Sequence, residues 1–316
     1  MNDLSRRAFL GAAAGSAVAP LAPVPIIDCH IHLFDQTRPQ GAPYSGPAEN
    51  KEPALPPRYR RLASPLGIVG AIAVEASPWI EDNLWLLEAE GNDPMMVGAI
   101  GNLRPEWPEF GEYLDRFRKN RLFLGIRYGN LWGYDLVKQI ANSSFVEGLK
   151  LLQQAGLVLD TANPTPTLIE AVIRVNDKVP GLRIVIDHLP AMLWRVDSKG
   201  RADVEASLRE LAKRPAVYIK VSELMRMEGG KPALDPALYR PVLDYLFHTF
   251  GEDKLIFGSD WPNGTAMDNL AAIVKIVQDY FTGKGRQAAE KYFWKNSAAA
   301  YRWVRRDAGQ PAPAAA

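Results

Sequence analysis

Eight short apolar runs, most of them ending in a polar or charged residue and separated by amphipathic stretches, leave this chain few folds to choose from. The runs fall at 24–29, 68–75, 96–101, 122–127, 156–160, 183–188, 216–222 and 254–260. Between them lie helical patterns. At 144–155, Ser144 and Glu147 have capping-box spacing and Gly156 stands where a C-terminal cap belongs. At 167–176, Leu168, Ile169, Val172, Ile173 and Val175 form one stripe, and Pro180 lies beyond its end. Further helical patterns occupy 203–212, 236–250, 268–281 and 286–304. Strands alternating with helices call for parallel βα units. Eight such units over about 280 residues predict an α/β fold of one domain, a closed (β/α)8 TIM barrel. The length of 316 residues would by itself suggest two domains.

Composition narrows the function classes. Hydrophobic residues make up 47% and charged residues 23%, which excludes disorder, collagen and coiled coil. The net charge of +1 provides no field that would steer the chain to nucleic acid or to a membrane surface. One cysteine excludes an internal disulfide, a zinc ribbon and a CxxC site. With only four histidines, any histidine site must use most of them.

The ends and one connection stand apart. Residues 1–23 carry Ser5, the pair Arg6 and Arg7, and then Phe9 and Leu10 before an Ala/Gly-rich stretch. This pattern reads as a twin-arginine signal peptide, predicting export to the periplasm with the twin-arginine machinery as partner. Its apolar stretch is shorter than the ~20 residues of a membrane span. Removing the leader leaves 35 basic and 35 acidic residues on a barrel domain at 24–306. The segment 307–316 reads as a disordered tail. The connection 34–65 carries seven prolines from Pro39 to Pro65 and reads as a long loop without structure over the barrel mouth. Oligomeric state is not written in the pattern, because an apolar helix face that meets a partner resembles one that meets its own core.

Side chains two apart on a strand share a face. On that rule Asp28, His30 and His32 share one face of the first strand, and Cys29 packs on the other. Glu75 ends the second strand, Arg127 the fourth and Asp160 the fifth. His188 is in phase with Ile184 and Ile186, with Asp187 opposite; Lys220 shares a face with Ser222, and Asp260 with Gly258. Polar groups at so many strand ends would be costly to bury unpaired. They are predicted to converge on one substrate-binding mouth at the carboxyl end of the barrel, with Trp261 beside Asp260. His30, His32, His188 and Asp260 offer three nitrogens and one oxygen, a set suited to a zinc-like divalent ion. His248, near a helix end, reads as structural. No GxSxG elbow, Walker loop or GxGxxG turn is present.

In order along the chain, DCHIH at 28–32, IDHLP at 186–190 and FGSDWP at 257–262 resemble the amidohydrolase superfamily. Within it the chain resembles the amidohydrolase-related (amidohydrolase 2) family. GIRYG at 125–129, YIKVSEL at 218–224 and KNSAAAYRW at 295–303 are similar to its branch of sugar-lactone and 2-pyrone-4,6-dicarboxylate lactonases. The resemblance implies a metal-dependent or metal-free hydrolase opening a lactone. It assigns Asp260 as general base and places His30, His32 and His188 at the reacting centre. It also puts Arg127 and Lys220 at the substrate. Arg127 and Asp160 stand where two-metal relatives have a lysine or bridging carboxylate and a histidine, so a binuclear site is not expected. One divalent ion or none remains open. The branch pattern DHLGKP is DHLPAM here, and KxSGL is KVSEL, so Pro190 and Glu223 alter the mouth. Two other readings stay alongside. One is a non-oxidative decarboxylase, which would need a histidine on the fifth strand. The other is an exported binding protein that captures a small acid without turning it over.

Overall fold

A computed structural model describes residues 22–44, 46, 50, 52–263 and 266–313. The leader expected at 1–23 therefore lies almost wholly outside the described residues.

Eight parallel strands form one sheet: β1 (Ile26–His32), β2 (Ile68–Val74), β3 (Met96–Gly101), β4 (Phe123–Arg127), β5 (Val158–Asp160), β6 (Arg183–Ile186), β7 (Val217–Val221) and β10 (Leu255–Phe257), each paired with the next. A two-residue hairpin, β8 (Met227–Glu228) and β9 (Lys231–Pro232), sits apart in the β7 to β10 connection. The seam between β10 and β1 is bridged just past the end of β10. There the His32 amide donates to the Trp261 carbonyl and the Asp260 amide to the His30 carbonyl, both at 2.7 Å. The chain thus folds as a (β/α)8 barrel, and its last seam closes through the residues the sequence singled out.

The core has two layers. Ile27, Cys29, Ile72, Val74, Val97, Leu124, Val158, Val185 and Ile256 fill the interior, while Ile26, Ala71, Ala73, Ile126 and Ile184 face the surrounding helices. Tyr301 and Trp303 join the inner cluster and floor the barrel. Beyond them, the Arg306 guanidinium donates to the carbonyls of Glu90, Gly91, Asp93 and Met96. Gln310, only 2% exposed, donates to the carbonyls of Val69 and Pro94. Within the segment 307–316, read from its composition as a disordered tail, Gln310 is therefore pinned against the barrel. Composition does not reveal this, because the fastening uses backbone carbonyls at strand starts.

Two local expectations differ from the structure. Within 34–65, Pro56 and Pro57 open a helix, Pro56–Ala63, and Phe34 pairs with Ala54 through two backbone hydrogen bonds. Proline suits a helix's first turn because its missing N–H has no partner to lose there. Farther on, the helix Ser143–Gln154 is capped by Asn142, which accepts from the Ser144 amide, and Glu147 pairs with Lys150. The Ser144 capping box is not formed. Among the described residues, no helix is long and apolar enough to cross a membrane.

Candidate active site

The site begins with a bulge. Asp28 is opposite Ala71 and Ile31 opposite Ala73, so β1 spends three steps where β2 spends two. One extra residue breaks the alternation. Asp28 turns outward, where its carboxylate accepts from the Tyr59 hydroxyl at 2.6 Å, the Ser259 amide at 2.9 Å and the His30 amide at 3.1 Å. His30 turns inward above Cys29 and Lys220. Strict alternation had placed Asp28 on the histidine face and Cys29 on the other, and the bulge reverses both. Gly258 makes room for this, since a β-carbon there would lie 2.7 Å from the His30 Cβ.

Strand β6 has no bulge, keeps its alternation through Asp187, in phase with the interior Val185, and departs only at His188. His188 takes φ +52, a left-handed turn, and both Asp187 and His188 end up at the site. The sequence rule had put Asp187 on the outer face. Instead its carboxylate lies 2.8 Å from the Lys220 Nζ, 3.4 Å from the Arg127 Nε and 3.6 Å from the His30 Nδ1. Ser222 holds His188 twice, accepting from its amide at 3.1 Å and lying 2.9 Å from its Nδ1.

Three imidazoles surround one carboxylate oxygen. Asp260 Oδ1 is 3.4 Å from His30 Nε2, 3.3 Å from His32 Nε2 and 4.0 Å from His188 Nε2, and the first two nitrogens are 3.2 Å apart. Zinc bonds to such atoms are near 2.0–2.2 Å, and tetrahedral geometry then spaces neighbouring donors roughly 3.3–3.5 Å apart. The triangle of His30, His32 and Asp260 matches that spacing. His32 Nδ1 faces the Val74 carbonyl at 2.9 Å, which commits its proton there and leaves the Nε2 lone pair free. These donors fit a single divalent ion, with His188 at the edge of the set.

Charge beneath the triangle is dense and paired. Lys220 is completely buried and donates to Asp160 at 2.7 Å, and Tyr301 donates to the same oxygen at 3.0 Å. Burial pushes the Asp160 carboxyl up to about 7, against the pull of Lys220. Burial acts on Asp187 too, but Lys220 and His30 outweigh it and hold Asp187 well below the usual carboxylate range. Burial, then the Lys220 charge, keeps the His30 ring neutral. Burial would raise Asp260, yet His188, His32 and His30 around it keep it ionised.

Above this layer opens a cavity of about 570 Å³. His32, Glu75, Arg127, His188 and Asp260 line it, as the strand-end reading expects. Lys220, Asp160, Ser222 and Trp261 do not. Lys220 and Asp160 neutralise each other under His30, and Ser222 is spent on His188. The Trp261 ring packs outward on Tyr59 at 5.1 Å, because its backbone is taken up by the seam. The cavity also gathers residues the strand rule could not reach. Tyr44 donates to Asn263 at 2.7 Å, and Asn263 donates to Asp260 at 3.3 Å. Trp132 donates to Glu75 at 2.9 Å. Tyr44, Trp132 and Asn263 sit on loops with no periodicity to betray them. His248 ends its helix bonded to the Asp244 carbonyl and takes no part in the site.

Burial raises the Glu75 carboxyl to about 7, with Arg127 and Trp132 only partly opposing it. An acid held protonated in the folded state makes folding less favourable as pH rises from about 4.5 to 7. Glu75→Gln lacks that cost. Relative to wild type, the variant should gain up to about 3 kcal/mol between pH 4.5 and pH 8. Urea unfolding at both pH values measures this, and a gap independent of pH would refute it.

An eight-stranded parallel barrel with an HxH pair, a third histidine and an aspartate at its carboxyl mouth defines the TIM-barrel amidohydrolase class. Residues 27–303 match the family model described as Amidohydrolase, the Amidohydrolase 2 family, and the chain belongs to it. A curated relative, the L-fucono-1,5-lactonase of Burkholderia multivorans, is 25% identical over 283 residues, spanning 86% of this chain and 94% of the relative. A crystal structure of a Burkholderia multivorans amidohydrolase with bound zinc superposes with a TM-score of 0.73 at 21% identity, covering 89% of this chain and all of that one. The structure of a putative 2-pyrone-4,6-dicarboxylic acid hydrolase from Pseudomonas putida gives 0.68 at 22% identity, covering 89% and 98%. At those identities the likeness concerns the fold.

Proposed function

We propose that this amidohydrolase opens a lactone, a cyclic ester of a sugar acid or of a dicarboxylic acid, by water attack at the barrel mouth. The observation that carries the reading is the ionised Asp260 ringed by three imidazole nitrogens at the base of a cavity of about 570 Å³. Asp260 accepts the proton of the attacking water. Asn263, itself held by Tyr44, fixes the Asp260 carboxylate through its Oδ1. His188, steadied by Ser222, and His32 face the developing oxyanion from the rim. Arg127 lies between Glu75 and Asp187 without a full hydrogen bond from its Nε, so its guanidinium retains donors for a substrate oxygen. An ion held by His30, His32, Asp260 and His188 would supply Lewis-acid polarisation of the carbonyl. The names of the lactonase and pyrone hydrolase relatives support the choice of ester. The decarboxylase alternative is less well served, because the end of the fifth strand, Asp160, is sealed between Lys220 and Tyr301. The leader at 1–23 would place the activity in the periplasm.

Purified protein should release protons from L-fucono-1,5-lactone or from 2-pyrone-4,6-dicarboxylate, followed by a pH indicator at near-neutral pH. Release of carbon dioxide from aromatic acids with no lactone turnover would replace this reading with the decarboxylase. Elemental analysis of the same sample counts the ion.

A further inference from the structure

Six non-glycine residues among those described adopt positive φ: Trp132, Asn163, His188, Glu223, Asp260 and Arg302. All but Arg302 line the cavity. A β-carbon disfavours this conformation, and residues held in it gather where a side chain must be aimed. Two of the five, His188 and Asp260, belong to the reacting centre. Glu223, at φ +48 just past β7, is turned toward the same point: its carboxylate lies within 4.8 Å of the donor atoms of His188 and Asp260.

The charges around Glu223 leave it free to act on a ligand. Among the described residues it accepts no hydrogen bond, and its one ion pair is with Arg195 at 3.6 Å. The Arg195 side chain is 74% exposed, so water screens most of that attraction. The other cavity cations lie nearer to other carboxylates. Arg127 lies between Glu75 and Asp187, and Arg226 faces Glu228 at 3.8 Å. Beside Asp260 the cavity therefore presents two carboxylates with His188 between them, while Arg127 faces Glu75 and Asp187 and the Arg195 side chain is largely in water. Tyr44 feels the same field. Its hydroxyl is pushed up to about 12, first by burial and then by Asp260 and Glu223.

We infer that Glu223 sets specificity at this site, accepting a hydrogen bond from a substrate hydroxyl next to the reacting carbonyl and turning away lactones that carry a carboxylate there. The inference rests on the lactone-hydrolase reading. A hydroxyl gives Glu223 the donor it lacks, whereas a carboxylate in the same place would be a third negative group in a partly desolvated pocket.

The test compares wild type, Glu223→Gln and Glu223→Gly on a neutral sugar lactone, L-fucono-1,5-lactone, and a carboxylate-bearing one, 2-pyrone-4,6-dicarboxylate. Glutamine removes the charge and keeps the shape; glycine suits the positive φ, so folding is spared. Wild type should favour the neutral lactone. In both variants the ratio of kcat/KM values should move at least tenfold toward the dicarboxylate, through KM more than kcat, with melting temperature unchanged or raised. A wild-type enzyme that opens lactones but whose preference stays within threefold in both variants overturns the assignment to Glu223 alone. A wild type that opens neither lactone overturns the lactone reading and this inference with it.

Discussion

Asp260→Asn should give a folded barrel that hydrolyses lactones about 10²–10⁴ times more slowly than wild type, the range expected when a positioned general base is lost. The fold should survive for two reasons. Asp260 sits at φ +67, and asparagine tolerates the left-handed region better than most residues. Its contribution to the β10–β1 seam is a backbone bond, the amide to the His30 carbonyl at 2.7 Å, which the substitution leaves alone. What changes is the proton acceptor. An amide oxygen cannot take a proton from water, and it also weakens the donor triangle with His30 and His32. Proton release from a lactone, beside circular dichroism and a thermal melt, separates chemistry from folding. Turnover within fivefold of wild type would move the base elsewhere, and Glu75 and Glu223 would be the next carboxylates to test.

Lys220→Met should be the most destabilising single change near the site, costing about 3–5 kcal/mol. Methionine fills nearly the same volume, so the loss is electrostatic. Asp160 and Asp187 share the Lys220 ammonium at 2.7 and 2.8 Å inside a completely buried cluster. Without it Asp187 keeps Arg127 at 3.4 Å and the His30 ring at 3.6 Å, and Asp160 keeps the Tyr301 hydroxyl. Adding Asp160→Asn to Lys220→Met should restore about 1–3 kcal/mol, since a neutral amide no longer needs the cation. Urea unfolding of the two single variants and the double variant closes the cycle. Additive effects would mean that Lys220 and Asp160 do not act as a pair.

The barrel and the gathering of polar residues at its mouth are legible in the sequence because both depend on regular periods. Strand–helix alternation announces eight parallel units. The positions of His30, His32, His188 and Asp260 at strand ends announce the mouth. The misplacements share one physical origin: each falls where the backbone leaves its period. The bulge in β1 sends Asp28 out and His30 in, and the left-handed turn at His188 brings that ring inward beside Asp187, which keeps the phase of the interior Val185. Polarity alone could not distinguish residues that meet the ligand from those that support them. Lys220, Asp160 and Ser222 are as polar as Glu75 and Arg127, yet they are consumed below the surface of the cavity. Trp261 was read as a wall of the mouth because it adjoins Asp260, but its backbone closes the sheet and its ring goes to Tyr59. Tyr44 and Trp132 come from loops, where no repeat carries a signal.

The hydrogen-bonded column from Tyr301 through Asp160 and Lys220 to His30 joins the first strand of the barrel to a helix that follows its last strand. During synthesis the strand bearing His30 emerges before the other seven, but the hydroxyl that completes its support emerges only after all eight. Until residue 301 has emerged, the buried lysine and its carboxylates lack their floor. The site proposed to be catalytic therefore assembles only once the whole barrel is made, and a chain ending before Tyr301 should lack that support although His30, His32 and His188 are all translated.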